Sequence, residues 1–342
     1  MSAEIFLYYP EGHEVHQVSQ HPERPERIEV IRQALVERSW WATGTPVQPV
    51  VLTDEVLHRI HDPGYLAELR KTCEKGQWYD QDTYLLPQSC ELAMQTAGGA
   101  AQLVKGVWDQ PDSSGFALCR PPGHHATRYS AMGFCLLNNA ALAGEYLLQN
   151  SSAERLAILD FDLHHGNGTQ DIFWERGDVL YLSTHQSPLY PGTGHLNEIG
   201  EGDGRFATAN LPLPPGTGDE GYATCMQSFV LPVLDRFQPE MLIISIGFDA
   251  HWKDPLGFLQ LTAAGYGNLI GELRSWAGRH CSGRIALILE GGYNLEAVSA
   301  CTQTVIGALL GEPVEDPIGR SSHTDTTRWR SVLEQAKDIW QI

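Results

Sequence analysis

Six short apolar runs constrain the fold of this chain more than any other feature of the sequence. They show no polar alternation, so both faces of each predicted strand must be covered, as in a parallel sheet. Helical patterns lie between them, and this alternation of strands and helices along the chain predicts an α/β fold with a mainly parallel sheet. The runs are residues 5–9, 115–119, 156–161, 179–184, 241–248 and 285–292. The helical patterns are residues 26–40, 89–109, 139–149, 222–237 and 263–278.

The composition is that of a globular protein with an acidic balance. The 342 residues show no internal repeat or linker-like tract, so we predict a single domain over residues 1–342. Aspartate and glutamate number 42 against 23 lysines and arginines, and the formal charge of -19 argues against nucleic acid as a partner. The acidity is compatible with a cationic substrate, although a solvated acidic surface is the simpler explanation.

Cysteine spacing and hydropathy indicate the compartment. The seven cysteines form no C-x-x-C pair and are odd in number, which predicts reduced thiols rather than a disulfide framework. The first residues lack the basic segment of a secretory signal, and no apolar segment approaches the roughly 20 residues of a membrane span. We therefore expect a cytoplasmic protein without a membrane partner, and a homo-oligomer is left open.

Chemically competent side chains follow four of the apolar runs. In open parallel sheets ligands bind at the carboxyl ends of the strands, so these groups predict one active site at that edge. They are His124 and His125 after 115–119, Asp162, His164 and His165 after 156–161, Asp249 and His251 after 241–248, and Tyr293 after 285–292. The spacing assigns no role to His165.

The residues after the third run have the spacing of metal ligands. Asp160, Asp162 and His164 stand two apart, so an extended chain points them to one side, and Asp249 arrives from another strand. An Asp-His-Asp set leaves open positions on a divalent metal, as in catalytic sites. Zn2+ suits one nitrogen and two oxygens, while Fe2+, Co2+ or Mn2+ stay open. The alternative is that Asp160 and Asp162 cap the helix predicted at residues 166–173.

Adjacent histidines beside a metal suit proton transfer. His124 and His125 follow a Pro-Pro-Gly turn that should project both side chains into the cleft. Each ring needs an acceptor on its other nitrogen, and Asp160 and Asn167 are the candidates. A Tyr293 hydroxyl aimed at the site could stabilise an oxyanion, although a tyrosine after two glycines is more often a packed aromatic.

Eight motifs, in the expected order, resemble the zinc-dependent histone deacetylase and acetylpolyamine amidohydrolase superfamily. Asn167 stands where class I enzymes carry aspartate, so the resemblance is to class II enzymes and their bacterial relatives. The motifs are "HPERPERI" (21–28), "RPPGHHA" (120–126), "GFCLLNN" (133–139), "DFDLHHGNGTQ" (160–170), "YPGTG" (190–194), "GFDAH" (247–251), "DPLG" (254–257) and "EGGYN" (290–294).

The resemblance implies an arginase-like, three-layer α/β fold around an eight-stranded parallel sheet. It makes Asp162, His164 and Asp249 the zinc ligands. Within the histidine pair it favours His125 as general base and acid. It makes Tyr293 the residue that polarises the acyl carbonyl.

The resemblance also implies a narrow substrate tunnel. Phe134 and Tyr190 correspond to its two aromatic walls, with Gly133 beside them, and Tyr190 replaces a commoner phenylalanine. Leu256 stands where polyamine-selective relatives carry a glutamate, and it could not read a distant ammonium group. The segment "YDQDTY" offers Asp82 and its neighbours as rim groups.

A monovalent cation, K+ or Na+, is expected near the zinc in this family. The resemblance places it on Asp160 and Ser183 and on backbone carbonyls of Asp162, His164 and Thr184.

The expected activity is hydrolysis of an acetyl or other short acyl group from acyl-lysine or a related primary amine. One alternative is an acetylpolyamine amidohydrolase, and another is a catalytically silent protein that binds acylated amines. A two-metal ureohydrolase would need further ligands, but Phe161 and Leu163 occupy the neighbouring positions.

Overall fold

One parallel sheet forms the centre of the protein. The computed structural model describes residues 4–322 and 326–342. Within them, eight strands pair in the order β2-β1-β3-β8-β7-β4-β5-β6, and every pair is parallel. The strands are β1 Ile5–Tyr8, β2 Thr45–Pro46, β3 Ser114–Ala117, β4 Leu156–Asp160, β5 Val179–Gln186, β6 Thr208–Leu213, β7 Leu242–Ile246 and β8 Ile285–Leu289.

Helices connect the strands and cover the sheet. The pattern predicted at 222–237 forms α8 and α9, joined by one π-helical turn at Met226–Val230. Every described helix is too short or too polar to cross a lipid bilayer. The helices are α1 Glu26–Glu37, α2 Trp40–Thr43, α3 Asp54–Ile60, α4 Pro63–Lys75, α5 Ser89–Asp109, α6 Asn139–Asn150, α7 Asn167–Phe173, α8 Asp219–Cys225, α9 Leu231–Phe237, α10 Ala263–His280, α11 Leu295–Leu310 and α12 Trp329–Trp340.

Strand β4 shows why the fold has three layers. Leu156 and Ile158 point into a core shared with α3 to α6, whereas Ala157 and Leu159 point into a core shared with α1 and α8 to α12. All four side chains are fully buried because successive residues of a strand face opposite sides. The predicted α/β fold, with an eight-stranded parallel sheet between two helical layers, is confirmed.

A strand overlaps each of the six apolar runs, but two strands were not predicted. β2 has only two residues, and one of them is Pro46. β6 contains Thr208, Asn210 and Pro212, so it lacks an apolar run. Both strands lie at the edges of the sheet, where fewer apolar neighbours are required and proline is tolerated.

The prediction that all seven cysteines are reduced is wrong for one pair. Cys73 in α4 and Cys90 in α5 form a disulfide bond, with 6.1 Å between their Cα atoms. The other five cysteines are free and buried. No local motif marks the bonded pair, because the packing of two helices brings the two residues together across a separation of 17.

Candidate active site

Four neighbouring strands at the centre of the sheet deliver the candidate site. β3, β8, β7 and β4 are adjacent, and each is followed at its carboxyl end by one of the predicted groups. A parallel sheet brings all these ends to one edge, so residues more than 150 positions apart in sequence become neighbours. The segments are 120–125, 290–293, 247–249 and 160–167.

The candidate metal ligands Asp162, His164 and Asp249 converge at the ends of β4 and β7. One ligand atom from each lies within 4.8 Å of the other two. His164 Nδ1 lies 3.1 Å from Asp162 Oδ1 and 3.2 Å from Asp249 Oδ2, the latter outside hydrogen-bond geometry. Both carboxylates are buried, while the His164 side chain lines an open cavity.

The surroundings of these carboxylates fit a divalent cation. Asp249 Oδ1 accepts the Leu163 N–H at 2.9 Å, and Asp162 Oδ2 accepts the Gly291 N–H at 2.8 Å. Asp249 Oδ2 is buried and accepts no hydrogen bond, which is costly for a carboxylate oxygen unless a cation faces it. A Cβ atom at Gly247 or Gly291 would collide with both carboxylates, so glycine keeps this space open.

Protonation within the ligand set leads to the same conclusion. Burial opposes a charged imidazole, but Asp162 and Asp249 nevertheless raise the pKa of His164 to about 10. Burial would likewise raise the pKa of Asp162, but His124 and His164 hold it well below its usual value. A bound cation would displace the proton that these groups otherwise share.

His124 is paired with a carboxylate. Its Nδ1 lies 3.0 Å from Asp160 Oδ2, and both side chains are buried. Burial opposes the charged ring, but the negative charge of Asp160 raises the pKa of His124 to about 10. Asp160 Oδ2 also accepts the Tyr181 hydroxyl at 3.1 Å, and Asp160 Oδ1 accepts the Asp162 N–H at 3.1 Å. These bonds hold Asp160 in place beside the ring.

His125 is paired with a neutral amide. Its Nδ1 lies 2.8 Å from Asn167 Oδ1, and the Asn167 Nδ2 group donates to Met132 Sδ at 3.4 Å. An amide oxygen only accepts, so His125 Nδ1 carries the proton and Nε2 keeps its lone pair. Burial and the nearby rings of His124 and His164 hold the pKa of His125 well below its usual value.

The helix-capping alternative for the two aspartates does not describe the structure. α7 begins after Gly166, and no side chain caps its first turn. Asp160 is committed to His124 instead, and Asp162 to the ligand set. A Cβ atom at Gly166 would collide with Asp160, so this glycine allows the backbone to pass close to the carboxylate.

A cavity of about 280 Å³ adjoins the histidine pair and His164. Tyr293 lines it as well, and its ring meets the Phe134 ring edge to face with 5.9 Å between centroids. Burial raises the pKa of Tyr293 well above its usual value, so the hydroxyl stays protonated and can donate. The five residues predicted to form the tunnel also line this cavity, namely Asp82, Gly133, Phe134, Tyr190 and Leu256.

Three of the five predicted monovalent-cation residues, Asp160, Ser183 and Thr184, lie on β4 and β5. Asp160 and Ser183 are partners in the pairing of these strands. The Ser183 hydroxyl is 2.9 Å from His185 Nδ1, and the buried Thr184 hydroxyl has no hydrogen-bond partner. Asp162 and His164 lie just beyond the end of β4.

Glu290 is a residue of the site that sequence reasoning missed. Its Oε2 accepts the Gly123 N–H at 2.7 Å and the His124 N–H at 3.0 Å, and its Oε1 accepts the Ser245 hydroxyl at 3.1 Å. Burial raises the pKa of Glu290 to about 7. The available signal was an acidic residue at the end of an apolar run, directly before two glycines.

Arg27 was also missed, although it lies in the first motif. Its Nε donates to Gly292 O at 2.6 Å, and its guanidinium lies 4.9 Å from the centroid of the Tyr293 ring. Glu23 accepts from Arg27 at 3.1 Å and from Arg120 at 2.8 Å. This buried network therefore ties the loop that carries Tyr293 to the strand end that carries the histidine pair.

Comparison with known proteins identifies the family of the chain. The family model described as histone deacetylase domain matches residues 21–309. A probable deacetylase of Archaeoglobus fulgidus is 42% identical over 266 residues, which are 78% of this chain and 74% of that protein. A histone deacetylase-like amidohydrolase of Pseudomonas aeruginosa is 39% identical over 270 residues, or 78% and 71% of the two chains.

A solved structure extends the likeness to three dimensions. The crystal structure of the HDA15 HD domain matches with a TM-score of 0.88 and 34% identity, covering 99% of this chain and 94% of that one. The fold and the family match together define the class of the protein, that of the deacetylases and amidohydrolases. Within this class, the chain belongs to the histone deacetylase family.

Proposed function

We propose that the protein is a metal-dependent amide hydrolase that removes acetyl or other short acyl groups from acyl-lysine or related primary amines. The observation that carries this proposal is the contrast within the histidine pair. His124 Nδ1 faces the carboxylate of Asp160, which raises the pKa of that ring, whereas His125 Nδ1 faces a neutral amide and burial lowers its pKa. Both rings line the same cavity as His164. Neighbouring titratable groups whose pKa values are pushed apart are typical of acid–base catalysis.

Asp162, His164 and Asp249 would hold the metal, for which one nitrogen and two oxygens favour Zn2+. When bound, such a metal supplies Lewis acidity, which polarises an acyl carbonyl and makes water easier to deprotonate. Both aspartates are buried, and of the three ligands only His164 lines the cavity.

His125 would move the proton. Its Nε2 carries a lone pair because Asn167 holds the proton on Nδ1, so it can accept a proton from the attacking water. Once charged, the same nitrogen can give that proton to the departing amine, which balances the reaction. His124 stays charged through Asp160 and favours the negative charge that develops on the acyl oxygen.

Tyr293 would donate a hydrogen bond to the acyl oxygen of the substrate. Its hydroxyl stays protonated, and three contacts hold the residue, namely the Arg27 guanidinium, the Phe134 ring and the Asp254 carboxylate, which accepts the Tyr293 N–H at 2.6 Å. Donors that are fixed before the reaction lower its barrier without reorganisation.

A monovalent cation, K+ or Na+, is part of the proposal. The buried carboxylate of Asp160 and the Ser183 hydroxyl would be its side-chain ligands, with main-chain carbonyls of Asp162, His164 and Thr184. Its charge would help to offset the buried carboxylates around the site.

The cavity suits the methylene chain of an acylated amine. Phe134, Tyr190 and Leu256 supply apolar walls, and Asp82 is a carboxylate among the lining residues. Because Leu256 carries no charge, we favour acyl-lysine over acetylated polyamines.

A substrate panel tests the proposal directly. Protein of measured metal content should hydrolyse an acetyl-lysine peptide faster than N-acetylputrescine, and a chelator should abolish the activity. Faster turnover of N-acetylputrescine would instead make the protein an acetylpolyamine amidohydrolase. Metal-loaded protein that binds these compounds but hydrolyses none would be a silent acyl-amine binder.

Tyr293→Phe tests the proposed oxyanion donor. The ring contacts remain, so we expect kcat to fall by about 100-fold or more, the usual cost of losing one such donor. Tyr129→Phe is the matched control, since Tyr129 is exposed and lies outside the cavity lining. Near-parental activity in Tyr293→Phe would refute the assigned role.

A further inference from the structure

His165 follows a proposed metal ligand, yet the proposed reaction does not use it. Its side chain is buried, and both ring nitrogens have partners. Nδ1 lies 2.7 Å from Thr193 Oγ1, and Nε2 lies 3.0 Å from Gln170 Oε1. The ring therefore connects the segment after β4 with the loop of residues 187–198, which carries the cavity wall Tyr190.

The chemistry of the partners sets the direction of each bond. Gln170 Nε2 donates to Glu198 Oε2 at 2.7 Å, so the amide oxygen of Gln170 faces His165. That oxygen only accepts, so His165 Nε2 donates, and Nδ1 accepts from the Thr193 hydroxyl. Glu198 Oε2 also accepts the Gly194 N–H at 2.9 Å, so the chain of hydrogen bonds that starts at Thr193 returns to the next residue of the loop. We call these five residues, Thr193, His165, Gln170, Glu198 and Gly194, the loop clamp.

A strand residue holds the same point of the loop. His185 of β5 has its Nε2 3.1 Å from Gly194 O and donates to it, because a carbonyl oxygen only accepts. Gly194 has a φ of +84°, and a Cβ atom there would lie 2.5 Å from His185 and 2.7 Å from His165. The backbone at Gly194 is therefore tied to side chains of two different segments and leaves no room for a larger residue.

Thr193 and Gly194 of the loop clamp lie just after Tyr190, which lines the cavity. Tyr190 is three positions before Thr193, and its ring meets the His125 ring edge to face at 5.1 Å and the His164 ring at 6.3 Å. We propose that His165 is a positioning residue, which through Thr193 holds Tyr190 at the proper distance from the metal-ligand segment. This inference rests on the proposed function, because the wall matters to a substrate only if an acylated chain passes it.

Tyr190 would contact a part of the substrate that does not react, so it would bind the ground state and the transition state equally well. Displacement of Tyr190 should therefore raise KM and leave kcat nearly unchanged. Thr193→Val removes the hydroxyl and keeps the shape of the side chain. We expect KM for an acetyl-lysine peptide to rise about fivefold to tenfold, the scale of one hydrogen bond, with kcat within about twofold. Thr193→Ser keeps the hydroxyl and should bring KM back to within about twofold of the parent.

Amide hydrogen exchange supplies a readout that does not depend on activity. Peptides that cover residues 187–198 should exchange at least about tenfold faster in Thr193→Val than in the parent or in Thr193→Ser. Peptides over β8 should be unchanged in all three proteins, which also verifies that the variant is folded. Thr193→Ala takes its place if Thr193→Val does not fold.

The outcomes separate the two proposals. A raised KM without faster exchange in residues 187–198, equal losses in the valine and serine variants, or no change in either readout would each overturn the positioning role. If the parent hydrolyses no acylated amine but the exchange responds as expected, the proposed function fails, and the coupling of His165 to the loop through Thr193 is supported.

Discussion

Replacing Gly133 with alanine should disable the site while leaving the fold intact. Gly133 has a φ of +55°, and a Cβ atom there would lie 3.0 Å from His125 Cγ and 3.1 Å from Tyr190 Cε1, and would collide with His125 Cδ2. Ordinary carbon–carbon contacts are about 3.5–4 Å long, so the His125 ring has to move away by about 0.5–1 Å. A misplacement of about 1 Å costs about 100-fold in rate, so we expect a fall of that size in kcat for an acetyl-lysine peptide.

Gly202→Ala is the matched control for this prediction. Gly202 has a φ of +56°, but nothing lies within 4 Å of its Cβ position, so the variant has the same backbone strain without the collision. Gly202→Ala should lose about 1–2 kcal/mol of unfolding free energy in urea and Gly133→Ala at least as much, because the collision adds to the backbone strain. Only Gly133→Ala should lose activity. The reasoning is refuted if Gly133→Ala keeps more than about a third of parental kcat, or if Gly202→Ala loses as much activity.

Two further predictions concern stability. Glu290→Leu should lower the unfolding free energy by about 2–6 kcal/mol, because the buried N–H groups of Gly123 and His124 lose their acceptor, whereas Glu290→Gln keeps an oxygen and should lose under about 1.5 kcal/mol in urea denaturation. Burial holds the pKa of His61 at about 4 against 6.5 in the unfolded chain, so the unfolded state binds the extra proton between these values. The contribution of neutral His61 to the free energy of unfolding is complete above pH 6.5, and roughly 3 kcal/mol of it is lost as the pH falls to about 4. His61→Gln should therefore lose less stability than the parent between about pH 7 and pH 4.5, as measured by urea denaturation at each pH.

Both stability predictions have clear contrary outcomes. Equal losses in the leucine and glutamine variants would mean that the accepting oxygen of Glu290 is not what stabilises the histidine loop. Parallel curves of stability against pH for the parent and His61→Gln would place the acid lability in other groups. His16 is the natural next candidate, because burial also holds its pKa at about 4.

The sequence predicted the centre of the sheet better than its edges for a physical reason. The strand that ends at Asp160 is covered on both faces, and full coverage leaves an apolar run that can be read directly. An edge strand such as β6 has less apolar surface to bury. Its threonine and asparagine interrupt the apolar pattern, so the strand cannot be recognised from the sequence. The active-site edge was predictable for the same reason, since polar groups at the tip of an apolar strand stand out.

Long-range ties within the site could not be predicted in this way. Arg27 bonds Gly292 across 265 residues, and Cys73 joins Cys90 across the packing of two helices. A sequence shows which residue ends a strand, but not which distant loop that residue touches. Glu290 illustrates the limit, because it stood inside a recognised motif and its partners at Gly123 and His124 became visible only in the structure.

The different hydrogen-bond partners of the two histidines could also be assigned only from the structure. Asp160 and Asn167 were both candidate acceptors, and spacing alone did not assign either of them to a ring. The structure gives the carboxylate to His124 and the amide to His125. Because a carboxylate stabilises a charged imidazole and an amide oxygen only orients a neutral one, this pairing is what makes His125 the proton acceptor of the proposed reaction.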